Sequence, residues 1–192
     1  MSQQQAREQL DHMHRRIRRC TACPLHRSRT HAVPGEGDCA ARVMFVGEAP
    51  GAQEDEVGRP FVGPSGRFLD ELLAEYNLRR DAIFITSSVK CRPPGNRPPH
   101  AEELAICKQR WLVPQIELIN PRVIVLLGAV AVRQVLGWTG ELRDLHGRTE
   151  QLGGRICAIT YHPAAGMRFP DVRRTMRQDF RQFSALLRRA AM

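Results

Sequence analysis

Apolar residues along this chain fall into two kinds of pattern. Four short unbroken runs read as buried strands: Arg42-Val43-Met44-Phe45-Val46-Gly47, Ala82-Ile83-Phe84-Ile85-Thr86 continuing to Val89, Arg122-Val123-Ile124-Val125-Leu126-Leu127-Gly128, and residues 156–161. Around them, apolar residues recur three or four positions apart, the spacing of a helix face. Leu10, Met13, Ile17 and Cys20 form one such stripe, which ends near Thr21 with a turn at Pro24. Phe68, Leu69, Leu72, Leu73 and Tyr76 form another. A short helix over 129–136 follows the third strand. The proline-rich loop from Arg92 to Pro99 leads into a helix starting near Ala101. Over 171–189 the tail places Val172, Met176, Phe180, Phe183 and Leu187 on one face.

Strands that alternate with helices and lack polar positions predict an α/β fold, with a parallel sheet covered on both faces. Ligands of such folds bind beyond the carboxyl ends of the strands. Three strands run there into polar or Gly/Pro loops: Gly47-Glu48-Ala49-Pro50-Gly51, Ser87-Ser88-Val89-Lys90-Cys91 and His162-Pro163-Ala164-Ala165. The chemistry is expected where those loops meet.

Composition narrows the class. The 192 residues suit one domain over 1–192, and 42% hydrophobic content provides a core. No apolar run approaches the roughly 20 residues of a membrane helix. The opening Met1-Ser2-Gln3-Gln4-Gln5 lacks the apolar stretch of a secretory signal. A soluble cytoplasmic protein, monomeric and with no membrane partner, is expected. The net charge is +9, and arginine supplies almost all of the cations, since Lys90 and Lys108 are the only lysines. Residues 1–30 and 165–192 each hold seven arginines against two acids. Basic ends rich in planar guanidinium forks are the electrostatic footprint of a nucleic-acid binder.

Six cysteines in a reducing compartment point to metal ligation rather than disulfides. Cys20 and Cys23 have the two-residue gap that lets two thiolates reach one centre, and Cys91 and Cys107 flank the proline loop. Four thiolates suit either zinc or a four-iron cluster, and spacing does not choose between them. Cys157 reads as a core residue and Cys39 as an incidental loop thiol.

Taken in order, Gly47-Glu48-Ala49-Pro50-Gly51, Glu54-Asp55, Gly58-Arg59-Pro60-Phe61-Val62-Gly63, Val89-Lys90-Cys91-Arg92-Pro93-Pro94 and Tyr161-His162-Pro163 resemble the family 4 uracil-DNA glycosylases. The resemblance runs from Cys20 to about Pro170. It implies a three-layer α/β/α sandwich around a central four-stranded parallel sheet. It also implies a 4Fe-4S cluster held by Cys20, Cys23, Cys91 and Cys107, and DNA containing uracil as substrate. Family 5 of the same superfamily has an alanine-rich first motif without the carboxylate, so Glu48 favours family 4. The inserted basic loop of a related group that crosslinks to uracil through a histidine is not evident between Cys91 and Cys107.

The resemblance also implies roles. Glu48 would orient water or stabilise a cationic sugar. His162 would aim a donor at the departing base, as a neutral or a charged imidazole. Phe61 would stack on the base, and the backbone around Gly47 and Ala49 would hold uracil or the water. Arg92 and Arg97, with Lys90, would face the DNA backbone. Where the family usually carries an asparagine that reads the uracil edge, this chain has Ser87. A hydroxyl discriminates less well than an amide, so weaker uracil affinity, an altered base preference, or help from water or Ser88 is expected. In the loop 165–170, Gly166 stands where leucine is commoner, Met167 would wedge into the base stack and Arg168 would grip phosphate. The remaining histidines read as surface or structural. Two alternatives stay open: the same fold with a shifted lesion preference, and a non-catalytic iron–sulfur nucleic-acid-binding module.

Overall fold

A computed structural model describes residues 2–191, with the backbone alone at 191. Helix α1 (Gln3–Arg18) opens on a capping box at Ser2, which satisfies amides that a helix start leaves free. Then come β1 (Glu36–Gly37), β2 (Val43–Gly47), α2 (Ala52–Val57), α3 (Pro64–Glu75) and β3 (Phe84–Ser87). The second half runs α4 (Ala101–Cys107), α5 (Val113–Ile119), β4 (Val123–Leu127), α6 (Ala129–Leu136), α7 (Leu142–Leu145), β5 (Thr149–Leu152), β6 (Arg155–Thr160), α8 (Pro163–Arg168) and α9 (Pro170–Ala191). A single π turn, Lys108–Leu112, joins α4 to α5.

One sheet has the order β1-β3-β2-β4-β6-β5. Its four inner strands are parallel, and the two edge strands pair antiparallel. The sheet is therefore six-stranded, not four-stranded. The added strands escape sequence reasoning for a physical reason: β1 is two residues long, and β5 is exposed throughout. An edge strand can pair through backbone alone and carry no apolar signature.

Alternation within each inner strand feeds two cores. Val43, Phe45, Val123, Val125 and Leu127 face α3 and α9. Met44, Val46, Ile124, Leu126 and Cys157 face α1, α5 and α6. The result is a mixed α/β structure with helices on both sheet faces. Phe180 of α9 is fully buried and stacks on Phe45 with ring centroids 6.2 Å apart. Each such side chain contributes about 1.5–3 kcal/mol by leaving water, so the basic tail is fixed on the sheet. Cys39 is also buried, and its thiol donates to the Gln3 carbonyl at 3.7 Å. It is a packing residue rather than an incidental loop thiol. Among the described residues, no helix is long and apolar enough to cross a membrane.

Candidate active site

Strands β2 and β3 end side by side, with Gly47 paired to Ser87. The loops beyond these strands, and the one beyond β6, meet around a cavity of about 310 Å³. Glu48, Ala49, Glu54, Phe61, Ser87, Asn96, Arg97 and His162 all line it. A space of that size suits a small planar ligand rather than an extended polymer.

Glu48 is partly exposed at the cavity wall, and burial raises its carboxyl above the ordinary value of 4.5. No hydrogen bond or nearby cation offsets that effect. Its backbone is fixed instead: the Val89 amide donates to the Glu48 carbonyl at 3.2 Å. The Ser88 amide and hydroxyl both donate to the Gly47 carbonyl at 2.9 Å. Ser88 is thus fully buried and committed to the loop, so it does not assist base reading as the sequence suggested.

Phe61 and His162 lie together in the lining, with ring centroids 5.6 Å apart. A side chain at Gly47 would place its Cβ 2.7 Å from Phe61 Cζ and 3.6 Å from His162 Nε2. Glycine is required there because the two rings occupy the space. Phe61 adopts a left-handed backbone (φ +49°), a conformation that costs energy in a bulky residue and is held by its surroundings. Gly66 supports it, since a Cβ there would collide with the Phe61 carbonyl.

His162 is the N-cap of α8, and its Nδ1 accepts a hydrogen bond from the Ala164 amide at 3.2 Å. An accepting Nδ1 carries no proton, so in the neutral ring the proton sits on Nε2. Burial lowers the His162 pKa to about 4. The question left open by sequence has an answer: His162 is a neutral imidazole near pH 7, with Nε2–H toward the side where Gly47 lacks a side chain.

The remaining expected residues divide. Ser87 is buried and lines the cavity. Arg97 also lines it, but its guanidinium makes two hydrogen bonds to the buried Glu103 carboxylate, at 2.7 and 2.9 Å. Arg92 lies outside the lining and donates to the Asn96 side-chain oxygen at 2.7 Å. Lys90 overturns its expectation. It is 1% exposed and donates to Thr86 Oγ1 at 2.6 Å and to the Ser87 carbonyl at 2.8 Å. It cannot face a DNA backbone. Met167 and Arg168 do not line the cavity, and residues 163–168 form a helix rather than the expected loop. Met167 and Phe169 are both exposed, and Arg168 lies 5.3 Å from the Phe169 ring. Gly166 has its own explanation: a Cβ would lie 2.6 Å from Phe68 and 2.9 Å from Met176 Sδ. The α8 helix packs too closely on α3 and α9 to admit leucine.

Sequence reasoning missed three residues. Glu54 receives the amides of Gly51 (3.1 Å), Val62 (3.0 Å) and Gly63 (2.8 Å) on its two oxygens. One buried carboxylate thereby ties the Glu48 loop to the Phe61 loop. Asp55 accepts from the Thr30 and His31 amides, tying the segment after the CxxC pair to the same helix. In the sequence Glu54-Asp55 stands out only as one of the family motifs, with no role attached to either acid. Asn96, an amide at the cavity rim with φ +57°, sits in a loop that reads as plain proline-rich linker.

Cys20, Cys23, Cys91 and Cys107 come together. They line one small cavity, of about 10 Å³, together with Arg29, Lys90 and Trp111. Arg29 donates to Cys91 Sγ at 2.9 Å, and the Trp111 indole N–H donates to Cys20 Sγ at 3.3 Å. Among the described residues, no three His, Cys, Asp or Glu side chains converge on a single-ion site. Four sulfurs arranged around a shared space, two of them met by N–H donors, fit the donor set of a cysteine-ligated cluster. Burial raises the Cys23 and Cys91 thiols and pushes Cys107 up to about 12.

The comparisons with known proteins agree with this geometry. A model of the uracil DNA glycosylase superfamily matches residues 34–188. The chain is 45% identical over 184 residues to a type-4 uracil-DNA glycosylase of Pyrobaculum aerophilum, covering 91% of this chain and 92% of the relative. It is 43% identical over 178 residues to the type-4 enzyme of Thermotoga maritima, covering 91% and 92%. Similarity to the type-5 enzyme of Pyrobaculum aerophilum is lower, at 36% over 195 residues, covering 90% and 83%.

Proposed function

The chain belongs to the type-4 branch of the uracil-DNA glycosylase superfamily, and from that premise we propose that it hydrolyses the N-glycosidic bond of uracil in DNA. The product is an abasic site, the first intermediate of base excision repair. The reading treats residues 1–192 as one catalytic domain that works as a monomer. One observation carries it: Glu48, Phe61, Ser87 and a neutral His162 line a single base-sized cavity.

The chemistry follows from those groups. The base must leave the duplex, at a cost of a few kcal/mol in lost stacking. Stacking on Phe61 returns about 1–3 kcal/mol. As the C–N bond stretches, negative charge gathers on the base and positive charge on the sugar. His162 Nε2–H meets the charge on the base. A preorganised donor of that kind contributes about 2.7–4 kcal/mol to the transition state. Glu48, ionised and without a protein donor on its carboxylate, orients the water that attacks C1′ and stabilises the cationic sugar. The Gly47 and Ala49 backbone shapes the wall between the two. Asn96 supplies an amide at the rim where Ser87 offers only a hydroxyl.

Cys20, Cys23, Cys91 and Cys107 would hold a 4Fe-4S cluster, which supplies a structural cross-link when bound. Their thiols would tie the segment after α1 to the proline loop that carries Asn96 and Arg97 to the cavity. Met167 and Phe169 are the exposed apolar side chains nearest the His162 loop in sequence, placed to enter the gap left by the base, with Arg168 beside them for phosphate. Arg92 is half-exposed and remains available to the DNA backbone.

Incubation with oligonucleotides bearing one uracil, followed by alkali, tests the proposal: strand scission at uracil supports it. Scission only at another deaminated base supports the altered preference that Ser87 suggests, and binding without scission contradicts both. A visible absorption band of the purified protein near ~400 nm tests the cluster.

A further inference from the structure

An open cleft adjoins the cysteine cavity and shares Cys20, Ala22 and Trp111 with it. Four arginines line it: Arg15, Arg16 and Arg19 from the end of α1, and Arg110 from the π turn. All four are exposed. Among the described residues no carboxylate lines this cleft. Glu8, on the neighbouring groove, accepts a hydrogen bond from Gln4.

Four guanidinium groups gathered without counter-charge repel one another. The end of α1 accounts for part of the cluster, because cations there complement the helix dipole. Arg110 comes from a different element, so the dipole does not explain it. Two of the groups are also held in place. Arg16 and Arg110 lie 5.6 and 5.7 Å from the Trp111 ring centroid. A guanidinium resting on an aromatic face keeps its N–H edge free for an anion. Arg97, by contrast, spends its N–H groups on Glu103. Trp111 is itself buried and anchored through its indole N–H to Cys20. The platform is therefore rigid and its donors are unused.

We propose that this cleft is a second phosphate-binding site, which takes the phosphodiester backbone of DNA flanking the nucleotide under repair. The proposal takes from the preceding reading only that the partner is DNA. The cleft is separated from the base cavity by the cysteine cavity: Ser87 lines the first, Lys90 bonds its carbonyl and lines the cysteine cavity, and Cys20 and Trp111 lead on to the arginines. Only a strand longer than the part engaged at the base cavity reaches it.

The test is binding of undamaged oligonucleotides by the full-length cluster-loaded protein, so that it does not depend on base excision. Anisotropy titrations compare wild type with R15A/R19A on strands of about 8 and about 30 nucleotides, single-stranded and duplex, across salt. On long DNA the salt slope of the variant falls by about 2, close to 0.9 for each phosphate no longer neutralised, and its affinity drops roughly tenfold. On short DNA the loss is several-fold smaller. The charge-keeping variant R15K/R19K recovers most of the slope, which separates lost charge from damaged folding. A larger loss on single strands or on duplex identifies the form of DNA bound, and either supports the site. An unchanged slope on long DNA, or an equal loss on short and long strands, overturns it and assigns the cleft to some other anion.

Discussion

The Ala164 amide donates to Nδ1 of His162 at 3.2 Å, and this one bond fixes which ring nitrogen carries the proton. With the ring neutral down to about pH 4, His162 does not titrate where the enzyme works. Burial raises the Glu48 carboxyl above the ordinary 4.5. Lowering the pH protonates Glu48 and so removes the group that orients water. Excision should therefore fall on the acid side with an inflection above 4.5. E48Q should lose most activity and flatten that limb, which single-turnover rates across pH will measure. An identical acid limb in E48Q would assign the ionisation to another group.

Glu54 should be the residue on which the site's shape most depends. Hydrogen bonds to a charged acceptor contribute about 1.5–3 kcal/mol each. E54A orphans the amides of Gly51, Val62 and Gly63 together. We expect a loss of about 3–5 kcal/mol in denaturant unfolding and a fall in the excision rate as the Phe61 loop loosens. E54Q keeps one acceptor oxygen and should lie between. Wild-type stability in E54A would show that the two loops hold without the carboxylate.

In the proposed function, Ser87 offers the base edge only a hydroxyl. S87N restores an amide at a position lining the cavity. Uracil excision should rise, with the gain concentrated in KM, and discrimination against cytosine should sharpen. An amide that pairs both edges of a base contributes about 1–3 kcal/mol of discrimination. Unchanged or lower activity would show that Asn96 or another group already reads the base.

Gly166 makes the opposite case. Replacing it with the leucine that the family resemblance implies should harm this protein, because Phe68 and Met176 already fill the space. Overpacking of that kind costs about 1–3 kcal/mol. G166L should lower the unfolding midpoint, and excision should fall because α8 carries His162 at its start. A G166L protein of undiminished stability would mean that α8 moves freely.

The four inner strands were legible because both faces of each are largely buried, which leaves apolar runs with few polar positions. The edge strands were not, since β5 is exposed along its length. Glu48, Ser87 and His162 stand in motifs at strand ends and Phe61 in the loop before α3, and the structure brings them to one cavity. Lys90 shows where sequence stops. A lysine beside two basic loops reads as a surface cation, yet the ends of β3 and the cysteine cavity enclose it, and two oxygens receive its protons. Glu54 stands in the sequence as part of a Glu54-Asp55 motif, with no role attached to it. Its role depends on the Phe61 turn folding back over it, an approach of two segments that no local pattern encodes.

At the centre of the proposed mechanism, an acid and a neutral imidazole act together on one flipped base. Single-turnover base release from a uracil oligonucleotide, measured for wild type, H162A and E48A alongside DNA affinity, tests this most directly. Each variant should lose at least about a hundredfold in rate, with DNA affinity close to wild type. Full rates in both variants would contradict the account.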